Sequence, residues 1–161
     1  MEDLIADYGK KLLRYATSIL YNHQDAEDVV QDVFIAAYQS KNSLDKKNIS
    51  AWLYKATYNK SINKLRRRRF LVFGCIPENT VASKDMGFSD EVLQALGALK
   101  PQDRALLYAR IVEGYSYEEL SLQMGCSQAN LRKRYERAKK KVGYMLSFNG
   151  DKKGALAHEQ R

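Results

Sequence analysis

The chain has 161 residues, with 27 Lys and Arg against 19 Asp and Glu and 45% hydrophobic residues. This length excludes a large multidomain enzyme and allows one ordinary domain or two small helical ones. A formal charge of +8, on a chain with enough apolar residues for a core, excludes a disordered basic tail and points to a polyanionic partner.

Only two prolines and nine glycines interrupt the sequence, and apolar residues recur every three to four positions between them, which predicts an all-α protein. The first helix is expected from Asp3 to Leu20, burying Leu4, Tyr8, Leu12, Tyr15 and Ile19. Asn22-His23-Gln24 breaks it. A second helix is expected from Asp25, whose Asp25, Glu27 and Asp28 suit the positive end of the macrodipole, with Ala26, Val30, Val33, Phe34 and Ala37 as its apolar stripe. After a polar loop, Ser40 to Asn48, a third helix from Ser50 is expected to turn Trp52, Leu53, Ala56 and Leu65 inward and to close on Arg66 to Arg69.

From Phe70 to Phe88 the periodicity fades among Gly74, Pro77, Asn79, Ser83, Asp85 and Gly87, the composition of a linker. Helical period resumes at Asp90 with Val92, Leu93, Leu96 and Leu99. It restarts at Pro101, suited to a first helical turn, and carries Leu106, Leu107, Ile111 and Val112 to Gly114. Ser116-Tyr117-Glu118-Glu119 has the form of a capping box, opening a helix that ends at Gly125. Ser127 caps a last helix running to about Leu146, and Asn149 to Arg161, poor in apolar residues, is expected to be a frayed tail. The expected fold is two small helical domains, residues 1–69 and 89–148, joined by a flexible linker over 70–88 and followed by a disordered tail over 149–161.

Tyr115 to Lys141 reads as a helix-turn-helix: a short capped helix, the turn Met124-Gly125-Cys126-Ser127, then a helix with seven cations between Arg132 and Lys141. Held across the first helix, the second can enter a major groove, where Gln128, Asn130, Arg132 and Lys133 reach base edges or phosphates. In the first half the charges segregate. Asp25, Glu27, Asp28 and Asp32 lie in a stretch without Lys or Arg, whereas Lys41 to Arg69 holds ten cations and one acid, which suggests two partners. A basic helix bearing Tyr54, Tyr58, Asn59 and Asn63 combines the groups needed to hold unpaired bases; the alternative is that the tyrosines are core and the cations merely solvated.

Three stretches together resemble the extracytoplasmic-function sigma factors of bacterial RNA polymerase: Asp25-Ala26-Glu27-Asp28-Val29-Val30-Gln31-Asp32-Val33-Phe34, Trp52-Leu53-Tyr54-Lys55-Ala56-Thr57-Tyr58-Asn59, and Gly114-Tyr115-Ser116-Tyr117-Glu118-Glu119-Leu120 leading into Arg134-Tyr135-Glu136-Arg137-Ala138. The similarity covers most of residues 5 to 145. It implies a sigma-two domain for core polymerase and the melted minus-ten element, a linker, and a sigma-four domain for the minus-thirty-five duplex. Residue by residue, it implies core-polymerase docking through Asp28, Gln31 and Asp32. Minus-ten contacts are implied at Lys41, Asn48, Tyr58, Asn59, Lys60 and Asn63, with the Lys41 to Asn48 loop as the site that captures an extruded base. Minus-thirty-five contacts are implied at Ser127, Gln128, Asn130, Arg132, Lys133 and Arg137. Phe34 and Trp52 are expected in the core, and Arg66 to Arg69 are either phosphate contacts or a solvated helix end. No further C-terminal domain is expected, and control by a separate anti-sigma protein is the expectation that goes with the resemblance.

The resemblance implies a promoter-specificity subunit, not an enzyme; the alternative class is a free-standing helix-turn-helix regulator. A small nucleic-acid enzyme would need a metal-binding carboxylate cluster or an activated nucleophile, and the acids instead line one helix while His23 and His158 sit at a junction and a tail. Cys75 and Cys126 have neither CxxC spacing nor a neighbouring His, so ordinary thiols are expected, with no metal and no cofactor. No apolar run approaches the roughly 20 residues of a spanning helix, and Met1-Glu2-Asp3 opens acidic where a signal peptide opens basic, so no membrane insertion and a cytoplasmic location are expected.

Overall fold

Asn22 separates the first two helices. Tyr21, left-handed at φ 55°, ends the first, and the extended Asn22 caps the second, its side chain accepting from the Asp25 amide. The structure, a computed structural model, describes residues 2–40, 46–71 and 88–158. Helix α1 spans Glu2–Leu20, α2 His23–Gln39 and α3 Ile49–Leu71, the last preceded by a 3-10 turn over Lys46–Asn48. The second half contributes α4 over Asp90–Gly97, α5 over Pro101–Ile111, α6 over Tyr117–Met124 and α7 over Gln128–His158. Of the expected linker, residues 72–87 lie outside the described residues.

Capping chemistry sets the boundaries in the second half. Ser89 accepts from the Val92 amide at the start of α4, and Pro101 occupies the first turn of α5. At α6 the capping box is complete: Ser116 Oγ accepts from the Glu119 amide at 3.2 Å, while Glu119 Oε2 accepts from the Ser116 amide at 2.7 Å. Gly125 ends α6 at φ 66°, a left-handed conformation in which any Cβ is strained.

Helices α1, α2 and α3 pack on one another around Leu12, Tyr15, Ala16, Ile19, Ala26, Val33 and Leu53, all essentially inaccessible. Phe34 and Trp52 are half-buried against this core. The core does not stop at the boundary between halves. Ala105, Leu106, Ala109, Leu120 and Leu131 belong to the same cluster, because α5 packs along α1 and α6 packs along α3. Tyr15 bridges them, its ring centroid 5.2 Å from that of Tyr54 and 5.9 Å from that of Tyr108. A smaller cluster of Leu99, Leu107 and Ala138 fastens α7 to α5 and the end of α4.

Two expectations require correction. Ile111 and Val112 are exposed rather than buried, since α5 runs past the edge of the core after Tyr108 and Ala109. The last helix does not end near Leu146 but continues through His158; no proline interrupts it, and Lys, Ala and Leu favour helix even where no apolar stripe remains.

Candidate nucleic-acid interface

On α2, Asp28, Gln31 and Asp32 are all exposed, and their spacing continues to Ile35 and Tyr38 on one helical face. Ile35 and Tyr38 are 56% and 55% exposed. The sequence reading overlooked these two, although both fall outside the apolar stripe that packs α2 and so carry the signal of a contact surface. The face is therefore acidic at its N-terminal end and apolar farther along.

The segregation of charge is partly satisfied within the fold. Lys60 lies 3.7 Å from Asp32, Lys64 lies 2.9 Å from Asp28 and 3.2 Å from Asp25, and Arg68 lies 2.6 Å from Asp25. Residues four apart on α3 thus meet acids four or three apart on α2, running antiparallel, as a ladder of ion pairs. Lys60, expected at the minus-ten strand, is a rung of that ladder. Asp25 is buried and anchors it, whereas the Asp28 and Asp32 carboxylates are largely exposed, so the outer rungs contribute little stability and can exchange partners.

Helix α3 divides its candidate residues between two faces. Lys55, Asn59 and Asn63 form an exposed line at intervals of four, with Arg66 and Arg67 exposed beyond them and Asn48 exposed at the turn before the helix. Tyr54 and Tyr58 lie on the buried side. Tyr58 is consequently removed from the exposed minus-ten set: it is core in this arrangement, its hydroxyl pKa pushed up by burial and held back by the Arg134 charge. Lys41 and the loop to Asp45 lie outside the described residues.

The second half of the chain completes the burial of Tyr54, which Tyr15 of α1 begins. The Tyr54 hydroxyl donates to Glu113, its ring meets the edge of Tyr115 with centroids 5.1 Å apart, and Ser50 Oγ lies 3.2 Å from Tyr115 Oη. Burial, then the Glu113 carboxylate, drives the Tyr54 pKa far above the usual phenol range.

The helix-turn-helix forms as its caps require. Ser127 Oγ accepts from the Asn130 amide at 3.3 Å, and Leu131 and Ala138 turn inward. Ser127, Gln128, Asn130, Arg132, Lys133 and Arg137 are all exposed. Arg134, by contrast, seats the helix: its Nε and Nη2 donate to Asp103 Oδ1 of α5 at 2.9 and 2.7 Å. The Arg110 guanidinium lies 4.5 Å from the centre of the Tyr117 ring, with Arg132 over the same ring at 5.3 Å. An outward polar row, a seated inward row and a concentration of cations make a surface suited to duplex DNA.

Among the described residues no group of three His, Cys, Asp or Glu side chains gathers as a metal site, and no helix is long and apolar enough to cross a membrane.

These features define a two-part helical protein whose halves have different candidate partners. Residues 4–70 match the model of sigma-70 region 2, and residues 89–142 match that of sigma-70 region 4. The chain belongs to the sigma-70 family of RNA polymerase sigma factors, and its relatives include members of the extracytoplasmic-function type. It is 26% identical over 88% of its length to the ECF RNA polymerase sigma factor SigE of Mycolicibacterium smegmatis, of which it spans 59%. It is 28% identical over 92% of its length to the sigma factor CnrH of Cupriavidus metallidurans, of which it spans 87%. Among solved structures it is similar to the sigma factor RpoE of Bartonella quintana in complex with the anti-sigma factor NepR, with 23% identity, a TM-score of 0.72, and coverage of 91% of this chain and 98% of that one. It is also similar to CnrH in complex with the cytosolic domain of CnrY, with 26% identity, a TM-score of 0.66, and coverage of 91% and 86%. A free-standing helix-turn-helix regulator would not account for the region 2 match.

Proposed function

We propose that this chain binds core RNA polymerase, recognises promoter DNA through both halves and assists promoter opening, as an extracytoplasmic-function sigma factor acting in the cytoplasm. The exposed face of α2, with Asp28, Gln31 and Asp32, docks on the polymerase, and Ile35 and Tyr38 extend that surface. The Asn48, Asn59 and Asn63 side of α3, together with the Lys41 loop, holds the melted minus-ten strand, where amides read base edges that a duplex hides. The start of α7 reads the minus-thirty-five duplex through Ser127, Gln128, Asn130, Arg132, Lys133 and Arg137. The chain contributes binding and strand separation, while nucleotide addition belongs to the polymerase. An anti-sigma protein is the natural regulator, by likeness to relatives solved with such partners.

The observation that carries this reading is the outward row of α7, polar and cationic and set on a seated helix-turn-helix, in a chain whose other half matches region 2. Sequencing the 5′ ends of transcripts made by core polymerase with and without the chain tests it. New start sites sharing two upstream elements are expected, and transcripts that do not depend on the chain would refute it.

A further inference from the structure

Tyr117 is the first residue of α6, and the reciprocal bonds of Ser116 and Glu119 around it fix its backbone. Its half-buried ring reaches across to α7, where it meets the Tyr135 ring edge-on with centroids 6.2 Å apart. Two guanidinium groups lie against the same ring, Arg110 at 4.5 Å and Arg132 at 5.3 Å from its centre. Among the described residues no carboxylate pairs with either of them, so the electron-rich ring is the group that answers both charges.

The two arginines are held differently. Arg110 stands in the last turn of α5, donates from Nη1 to the Tyr115 carbonyl and lies 6.0 Å from the Tyr135 ring as well. It is a half-buried brace. Arg132 is exposed, and among the described residues no hydrogen bond engages it. Contact with a ring engages the charge and leaves the N–H donors, which radiate in the guanidinium plane, unspent. The other candidate cations of α7 are placed otherwise: Arg137 turns its Nε back to the Lys133 carbonyl at 3.2 Å, and among the described residues Lys133 rests on no ring.

A free arginine gives up rotamer freedom when it docks on a base edge, and that loss subtracts from discrimination. An arginine already leaning on a fixed ring has lost part of that freedom beforehand. We propose that Tyr117 is the residue that positions Arg132 for sequence reading: its ring, fixed by the capping box and braced by Arg110 and Tyr135, holds the guanidinium in the pose from which the N–H donors meet a base edge of the upstream duplex. This role rests on the duplex-reading function proposed for the start of α7. Without the ring the charge of Arg132 persists, and its attraction to phosphates with it, but its aim is lost.

The test uses the full chain with core polymerase on a promoter found by 5′-end sequencing, its upstream element randomised, and reads from the transcripts the preference at each base pair. Far-UV circular dichroism accompanies every variant. Arg132→Ala is expected to erase the preference at one position. Tyr117→Leu is expected to lower the preference at that same position about two- to fivefold, the worth of an exposed contact between a cation and a ring, and to leave the other positions unchanged. Tyr117→Phe, which keeps the ring, is expected to keep the natural profile. Tyr117→Leu added to Arg132→Ala is expected to change nothing further, because no reader is left to aim. Tyr117→Met, which fills more of the space without an aromatic face, decides the matter if Tyr117→Leu loses helicity.

A natural profile in helical Tyr117→Leu overturns the positioning role. So does a loss spread evenly over all positions, or one that persists in the Arg132→Ala background, since either marks a structural ring; a Tyr117→Phe profile like that of Tyr117→Leu overturns it in favour of a contact by the hydroxyl. An Arg132→Ala profile equal to the natural one overturns it while leaving duplex reading to the other exposed residues of α7. Absence of any upstream preference in the natural chain overturns the duplex-reading function itself, and the positioning role with it.

Discussion

The Tyr54 hydroxyl donates to Glu113 Oε2 at 2.6 Å, joining residues 59 positions apart and on opposite sides of the linker. The bond needs a proton on the phenol. Burial also pushes up the hydroxyls of Tyr58 and Tyr115, and that of Tyr108 up to about 12. The unfolded chain loses these protons near pH 10, whereas the folded form keeps them longer. Stability from this source is therefore complete below about pH 10 and is lost as pH rises toward 12. Scattering and tyrosinate absorbance followed from about pH 9 upward should show expansion accompanying ionisation, and ionisation of all these tyrosines at the ordinary phenol value with no change in size would contradict it.

The ion-pair ladder separates stability from docking. Asp28→Lys with Asp32→Lys disturbs only its exposed rungs, so the melting temperature should move by an amount equivalent to about 1 kcal/mol or less, while capture by core polymerase should weaken sharply. Asp25→Ala should do the reverse: with Arg68 losing its partner and Lys64 keeping only Asp28, stability should fall by roughly 1–3 kcal/mol, with docking retained in the folded fraction. Equal polymerase capture by the double variant and the natural chain would remove α2 from the docking surface.

Asn59 lies on the exposed line of α3 and packs in no core cluster, so Asn59→Ala should leave folding intact. Promoter opening, followed by permanganate reactivity on a linear template, should decline more than polymerase binding. A preformed bubble separates melting from capture. Normal opening together with normal bubble binding would take Asn59 out of the site.

Arg132 and Lys140 are both exposed on α7, yet they lie about two turns apart along the helix. Arg132, near the end that enters the groove, should specify sequence, so Arg132→Ala should cost about 1–3 kcal/mol and relax preference at one position. Lys140→Ala should instead reduce the salt slope by about 0.9 and leave preference unchanged. Selection from a randomised duplex by the full chain at several salt concentrations distinguishes the two. An unchanged preference in Arg132→Ala, with affinity lowered for all sequences alike, would make Arg132 a phosphate anchor.

Local signals were legible in the sequence, and contacts across the chain were not. The capping box at Ser116 and Glu119, Pro101 at the start of α5 and the turn at Gly125 each follow from interactions within a few residues, and all three stand where expected. The exposed rows of α2 and α7 follow from helical period alone. Tyr54, by contrast, has one appearance in sequence whether it stacks on a base or fills a core, and its burial is completed by Glu113 and Tyr115. Arg104 reads as an ordinary surface cation because its partners, Ser18 and Ile19, lie 86 and 85 positions away. The ladder of Lys60, Lys64 and Arg68 was obscured for a related reason: segregated charge looks the same whether it awaits a partner or faces a neighbouring helix.

The two sides of α7 also bear on how such a protein can be redirected. Leu131, Arg134 and Ala138 hold the helix in place, while Gln128, Asn130, Arg132 and Lys133 are exposed, Arg132 resting over the Tyr117 ring. Address and chassis are written on separate faces of one rod. On the role proposed for these positions, redrawing the four is expected to send the polymerase to a different set of genes while the joint that aims the rod, Arg134 against Asp103, stays as it is.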